Sequence, residues 1–248
     1  MAPSITLRRR APRLLMIGLL WMAGPALAAP TQVMVLASMH GLHRTSRTYS
    51  YDDLYGVVRD FHPDLVGVEI RPEDLHADGA YLEKNYPSEM IELGRVWGPR
   101  AFGFDWLGDD LAGRPIPDGY WAEQSSIKRL ERALDADPAR KDARLAGIQA
   151  REHTLLATAT AASLNDGRYD CLNTAYYDAF KASVAGTPYA PIADFYAARD
   201  RRIDANVVAA IKANPGKRVV LVTGADHRGF LVAALKKAFG RSIRLVPP

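Results

Sequence analysis

Four short apolar runs along the chain predict strands. Each run is rich in aliphatic or β-branched side chains and is bounded by glycine, proline or polar residues, the pattern of a strand buried on both faces. The runs are Gln32–Ser38, Leu65–Ile70, Arg100–Phe104 and Arg218–Val222. Between the first two, a capping-box pattern at Ser50 and Asp53 precedes apolar residues at helical spacing up to Phe61. This strand–helix–strand order predicts an α/β fold with a mostly parallel sheet and flanking helices.

The longer stretches between the strands predict further helices and one irregular wall. Helical spacing runs through 87–97 and 191–213, and a mostly helical block covers about 122–185. Because that block interrupts the strands, we predict an insertion that packs as a cap over the sheet edge. Residues 106–121 are rich in Gly, Pro, Asp and aromatic side chains, which predicts a long ordered loop that forms a lid or a substrate wall. Residues 29–248 are thus expected to form a single α/β domain.

Residues 1–28 have the pattern of a signal peptide. A basic segment with four arginines precedes the apolar run Leu14–Met22, which is too short to cross a bilayer comfortably. Ala26-Leu27-Ala28 supplies the small residues of a cleavage site, so we place the cut before Ala29. We expect the mature protein to be periplasmic or secreted and to have no membrane association after cleavage.

The charge and the cysteine content limit the kinds of partner expected for the mature protein. Cleavage of the signal peptide would remove those four arginines, and it would remove no acidic residue. The formal net charge would therefore change from +4 to about zero. With no basic stripe and no interleaved aromatic residues, we predict no nucleic-acid partner and expect a peptide or small-molecule substrate. The single cysteine, Cys171, cannot form an intrachain disulfide. These features leave the oligomeric state open.

Two histidines and one glutamate come at the ends of predicted strands. His40 follows the first strand, and His227 follows the last one across the turn at Gly224. Glu69 lies near the end of the second predicted strand, Leu65–Ile70, where a carboxylate without a partner would be costly. The carboxyl ends of parallel strands meet at one edge of the sheet, where open α/β folds bind ligands. Two imidazoles and a carboxylate suit Zn²⁺ or Mn²⁺, so the sequence predicts a divalent metal site there.

The order of these motifs resembles the TraB/PrgY/GumN and Tiki group, a superfamily that also touches the erythromycin-esterase and ChaN haem-binding proteins. The resemblance covers the two ends of the mature chain and leaves about the middle half uncovered, and Ala37 stands where the group has glycine. It implies an α/β core with a helical insertion and, from the Tiki members, metal-dependent proteolysis. The matching segments are Ala37-Ser-Met-His40, Glu69 in VGVEI, Arg199-Asp200 and Gly224-Ala-Asp-His227.

We therefore predict a metal-dependent hydrolase of peptide or ester type. His40, Glu69 and His227 hold the metal, which activates a water molecule, and Glu69 is also a candidate general base. The remaining candidate catalytic residues are two proton carriers, Asp226 and His43, and one group that steadies negative charge, Arg199. The chain has neither a Gly-x-Ser-x-Gly elbow nor an HExxH helix, so the sequence does not indicate a serine hydrolase or a zincin.

Other interpretations of the same residues stay open. His40 and His43, with nearby tyrosine and arginine, could ligate haem or another exported ligand without chemistry. A metal-free esterase could use His40 as base and Glu69 to orient it. In the purely structural interpretation, Glu69 pairs with Arg71 at the rim of the sheet and Asp226 caps a helix.

Overall fold

The computed structural model of the protein describes residues 29–248. Within them, a five-stranded sheet has the order β3-β2-β4-β1-β5, and every neighbouring pair is parallel. In chain order the strands are β1 (Thr31–Ser38), β2 (Leu65–Val68), β3 (Ala101–Gly103), β4 (Arg218–Gly224) and β5 (Ile243–Leu245). The α/β prediction is confirmed, and all four predicted strands are present. The sequence does not reveal β5, because three residues are too few to show a period.

Helices connect the strands and cover both faces of the sheet. They are α1 (Tyr51–Asp60), α2 (Gly79–Asn85), α3 (Ser88–Trp97), α4 (Ser126–Ala136), α5 (Ala143–Ala157), α6 (Ala161–Leu164), α7 (Arg168–Val184), α8 (Ala190–Ala213) and α9 (Ala225–Phe239). Val68 and Val222 share a core with α1 and α3, whereas Val35 and Leu221 share a core with α8 and α9. Successive strand residues point to opposite faces, so both faces are buried and the strands are apolar throughout.

The helical block predicted at about 122–185 consists of α4 to α7. Helix α5 packs on α7, and α7 packs on α9, which follows strand β4 directly. Lys128 of α4 and Tyr177 of α7 reach a cavity at the carboxyl edge of the sheet. The block therefore lies against that edge and forms part of its wall.

Residues 106–119 form turns and irregular backbone, as predicted for a long loop. A buried arginine, Arg71, holds this loop in place by donating hydrogen bonds to the carbonyls of Leu111 (2.6 Å) and Arg114 (2.9 Å). The charge of Arg71 is met by Asp74, 2.6 Å away, rather than by Glu69. The loop is consequently an ordered wall, because its carbonyls are tied to a buried charged group.

No helix within residues 29–248 is long and apolar enough to cross a bilayer. The predicted signal peptide and its apolar run lie in residues 1–28, outside the described residues. Its cleavage and the expected export stay predictions.

Candidate functional site

The candidate site is a cavity of about 600 Å³ at the carboxyl ends of the central strands. Strand β4 lies between β1 and β2, and the pairings of Ser38 with Gly224 and of Val68 with Val222 align the three strand ends. Strands β2 and β3 lie on one side of β1, and β5 lies on its other side. The strand order therefore reverses near this point. Ligands of open α/β sheets bind at such a reversal. Two predicted ligands, His40 and Glu69, therefore follow the two strands that flank β4, one on each side of Gly224.

Glu69 is buried and anchored on both carboxylate oxygens. Its Oε2 accepts hydrogen bonds from the Thr223 hydroxyl (2.8 Å) and the Gly224 amide (2.7 Å), and its Oε1 accepts one from Arg199 (2.8 Å). Burial works to raise the pKa of Glu69, but the positive charges of His227 and Arg199 outweigh it and hold the pKa below its ordinary value. Glu69 is thus an ionised group whose lone pairs are largely used by the protein.

Arg199 joins Glu69 to a second buried carboxylate. Its Nε and Nη2 atoms each donate to Asp105 at 2.9 Å, while Nη2 also donates to Glu69. The two carboxylates come from the ends of adjacent strands, β2 and β3, and the guanidinium from α8. Arg199 lines the cavity, and no hydrogen bond within residues 29–248 uses its Nη1 atom. That nitrogen is free to donate to a ligand.

His227 is held by a carboxylate on one ring nitrogen and presents the other to the site. Its Nδ1 lies 2.7 Å from Asp200 and must donate, because a carboxylate only accepts. Its Nε2 lies 3.6 Å from Glu69. Burial works to lower the pKa of His227, but the charges of Glu69 and Asp200 outweigh burial and raise it. The protonated form of the ring is therefore more favoured than it is in a free histidine.

His40 repeats this arrangement on the opposite side of Gly224. Its Nδ1 lies 2.7 Å from buried Glu89, and its backbone is in the left-handed region, with φ at +48°. The Ser38 hydroxyl supports the pair, since it accepts from the His40 amide (3.0 Å) and donates to Glu89 (2.6 Å). Burial works to lower the pKa of His40, but the hydrogen bond with Glu89 and the charge of Glu69 outweigh it, so the pKa is raised.

Gly224 is required where these groups meet. A Cβ atom on this residue would lie 2.7 Å from Nε2 of His40 and 3.5 Å from Oε2 of Glu69. Any other residue would displace the imidazole. This close approach explains why the strand end needs glycine, and it places the Nε2 atom of His40 beside Glu69.

The two predicted proton carriers occupy different environments. Asp226 lines the cavity and accepts a hydrogen bond from the Tyr169 hydroxyl at 2.6 Å. His43 is buried outside the cavity lining, where its Nε2 accepts from the Met39 amide (2.9 Å) and its Nδ1 donates to the Tyr49 carbonyl (2.7 Å). Burial lowers the pKa of His43, so its ring is neutral. With both nitrogens bonded to backbone, His43 supports the loop that carries His40.

The structure adds three carboxylates to which the sequence analysis assigns no role in the site. Glu89 and Asp200 orient the two imidazoles, and Asp105 shares Arg199. Glu89 leaves a trace in the sequence, since it precedes Leu93 by four positions and so falls on the buried face of α3. The sequence signal for Asp200 and Asp105 is weaker. An acidic residue beside an arginine, or just after a strand, is usually solvated.

The predicted metal ligands share only part of the arrangement of a metal site. Both imidazoles have a carboxylate on Nδ1, as metal-bound histidines usually do, which leaves each Nε2 without that partner. Glu69, however, already accepts three hydrogen bonds, one of them from a cation. Within residues 29–248 no group of three or more His, Cys, Asp or Glu side chains is arranged to hold a metal ion. As arranged, these residues do not fit a three-ligand metal site.

Comparison with known proteins gives no independent assignment: no protein family, curated protein or solved structure matches the chain. The resemblance to the TraB/PrgY/GumN and Tiki group, and the activity it implies, stay predictions.

Replacing Glu89 by glutamine is expected to lower the pKa of His40, because the neighbouring anion favours the imidazolium form. NMR titration of the imidazole measures this shift. Glu92→Gln is the matched control, since Glu92 lies on the same helix and pairs only with exposed Arg95. An unchanged His40 pKa in Glu89→Gln would contradict the pairing.

Proposed function

We propose that the protein is an exported hydrolase that cleaves an ester or amide bond with His40 and His227 as its proton-transferring groups. One observation carries the proposal: each imidazole has a carboxylate on Nδ1, and both rings line the same cavity beside Glu69. A carboxylate on Nδ1 fixes the ring orientation and leaves Nε2 for proton transfer, as in hydrolases that use a histidine base.

The two histidines take different roles in this proposal. His40 has a side chain that is 40% exposed, so it can reach a water molecule, and His227 is only 8% exposed between two carboxylates that favour its protonated form. The pKa of both rings is raised, so the first step uses the neutral form of His40, whose Nε2 accepts a proton from water as the water oxygen attacks the carbonyl carbon. His227 donates a proton to the leaving group as the ester or amide bond breaks. Proton return from His40 to His227 through solvent completes the cycle.

The surrounding charges support these steps. The Nη1 atom of Arg199 can donate to the oxyanion that forms on the carbonyl, which stabilises developing negative charge. Glu69 fixes Arg199 and favours protonation of His227, so it acts through electrostatics instead of as a ligand or base. Asp226 lies at the cavity surface beside His227 in the chain, where it can relay a proton to solvent.

A metal-dependent hydrolase with Zn²⁺ or Mn²⁺ on His40, Glu69 and His227 is the alternative proposal. The carboxylate on Nδ1 of each histidine favours it, and the three hydrogen bonds that Glu69 already accepts oppose it. A metal would have to use the lone pair that remains on Oε1 beside Arg199, or displace one of these donors. Metal removal distinguishes the two proposals.

Hydrolysis before and after metal removal tests the proposal. Purified residues 29–248 are assayed for metal content and for hydrolysis of short 4-nitrophenyl esters and a fluorogenic peptide library, with and without prior dialysis against a chelator. We expect hydrolysis that survives chelation. Stoichiometric zinc or manganese, with activity lost on chelation and restored by the metal, would establish the alternative. Absence of hydrolysis together with a Soret shift on adding haem would support the haem-binding interpretation instead.

A further inference from the structure

The cavity is electrically polarised between its buried end and its mouth. At the buried end, the carboxylates of Glu69 and Asp105 are 6% and 2% exposed and share the single guanidinium of Arg199. At the mouth, the side chains of Lys84 and Lys128 are 65% and 42% exposed and line the same cavity. A ligand that enters therefore meets the two ammonium groups and exposed Asp226 before it reaches the two buried carboxylates.

The two lysines are available to a ligand, although each has an acidic neighbour. Lys84 lies 3.0 Å from Asp118, whose side chain is 90% exposed, and Lys128 lies 2.8 Å from Glu131 one helical turn away. Exposed ion pairs of this kind contribute little free energy. A ligand anion can therefore bind either ammonium at small cost to the fold.

Aromatic side chains form part of the wall of the same cavity. Trp121, Phe195 and Tyr196 line the cavity, and Phe195 stacks with Trp106 at 5.8 Å between ring centroids. Trp121 is oriented by its indole N–H, which donates to Asn85 at 3.1 Å. A ligand that spans the cavity consequently needs an apolar segment between its two polar ends.

We propose that the substrate is an anionic ester or amide that places a carboxylate on Lys84 and Lys128 and its scissile bond between His40 and His227. This inference rests on the proposed function, since it names the substrate class of the same site. The reversed orientation would bring the substrate carboxylate against Glu69 and Asp105, where like charges repel. The polarity of the cavity thus selects both the class of substrate and its direction.

Two esters of equal length test this inference. The mono-4-nitrophenyl ester of glutaric acid carries a terminal carboxylate, and 4-nitrophenyl pentanoate is its neutral counterpart. In the double variant Lys84→Gln/Lys128→Gln, the ratio of kcat/KM for the anionic ester to that for the neutral ester is expected to fall about fivefold, through a higher KM for the anionic ester. The control is Lys181→Gln/Lys212→Gln, which removes the same charge from exposed positions outside the cavity lining. Equal KM values for the two esters in the wild type, or an unchanged preference in the double variant, would overturn the inference.

A binding measurement separates this inference from the proposed function. Glutaramate and pentanamide differ in the same carboxylate, and their binding is measured by calorimetry without any turnover. If the protein hydrolyses neither ester but binds glutaramate more tightly than pentanamide, and the double variant loses that difference, the anion site stands and the hydrolase proposal fails. If glutaramate and pentanamide bind alike, the anion site is wrong whatever the activity.

Discussion

Replacing Arg199 by methionine is expected to lower the free energy of unfolding by about 3–5 kcal/mol at neutral pH, because it leaves two buried carboxylates without their shared cation. Arg199 is 16% exposed and forms three charged hydrogen bonds, one to Glu69 and two to Asp105. Methionine has a similar length, so the loss reflects charge more than packing. Chemical denaturation of the wild type and the variant measures the difference.

The pH dependence of that loss distinguishes charge from packing. In the wild type the pKa of Glu69 is held below its ordinary value, so its contribution to stability is present above that value and is lost as pH falls. In Arg199→Met the uncompensated carboxylates are costly only while ionised, so the difference in stability should shrink as pH falls from 7 towards 5. Arg202→Met is the control, since Arg202 is 60% exposed and its ion pair with exposed Asp109 is long, at 3.7 Å. A loss below about 1 kcal/mol, the scale of an exposed ion pair, would show that the buried network is not needed.

Replacing His40 by glutamine is expected to lower kcat/KM by roughly 10²- to 10⁴-fold, the range contributed by a positioned general base. His40 is suited to this test because its side chain is 40% exposed, so the substitution removes the titrating ring without opening a buried cavity. Glutamine can still donate a hydrogen bond to Glu89. Steady-state kinetics on the preferred ester gives the ratio, and thermal unfolding verifies that the variant is folded.

The control for this variant is His76→Gln, because His76 is exposed and lies outside the cavity lining. It should retain wild-type kinetics. A decrease of less than about tenfold in His40→Gln would exclude the ring as a general base. The same measurement on His227→Gln should give a comparable loss in kcat, accompanied by lower stability because the buried carboxylates Glu69 and Asp200 lose the ring that can carry a positive charge between them.

Much of the fold can be predicted because its signals are local. The strand from Leu65 and the helix 87–97 are visible as continuous or periodic apolar patterns, and the capping box at Ser50 is present at the start of α1 as predicted. Helix α2 and strand β5 are not evident, since each is too short for its period to stand out. The strand-end rule also brings His40, Glu69 and His227 to one cavity, as the sequence analysis expects.

The α/β class and the strand ends at which polar groups gather can therefore be read from the sequence, because both follow from residue periods and from the direction of parallel strands. The partners of each group are visible only in the folded protein. Arg199 meets Glu69 from 130 positions away and occupies it, and Glu89 meets His40 from 49 positions away and orients it. Such pairs depend on how the helices pack and on where the side chains point. The sequence gives no spatial distance between residues that are far apart in the chain. The same histidines and glutamate that suggest a metal site in the sequence are each held by a distant partner: Glu69 by Arg199, His40 by Glu89 and His227 by Asp200.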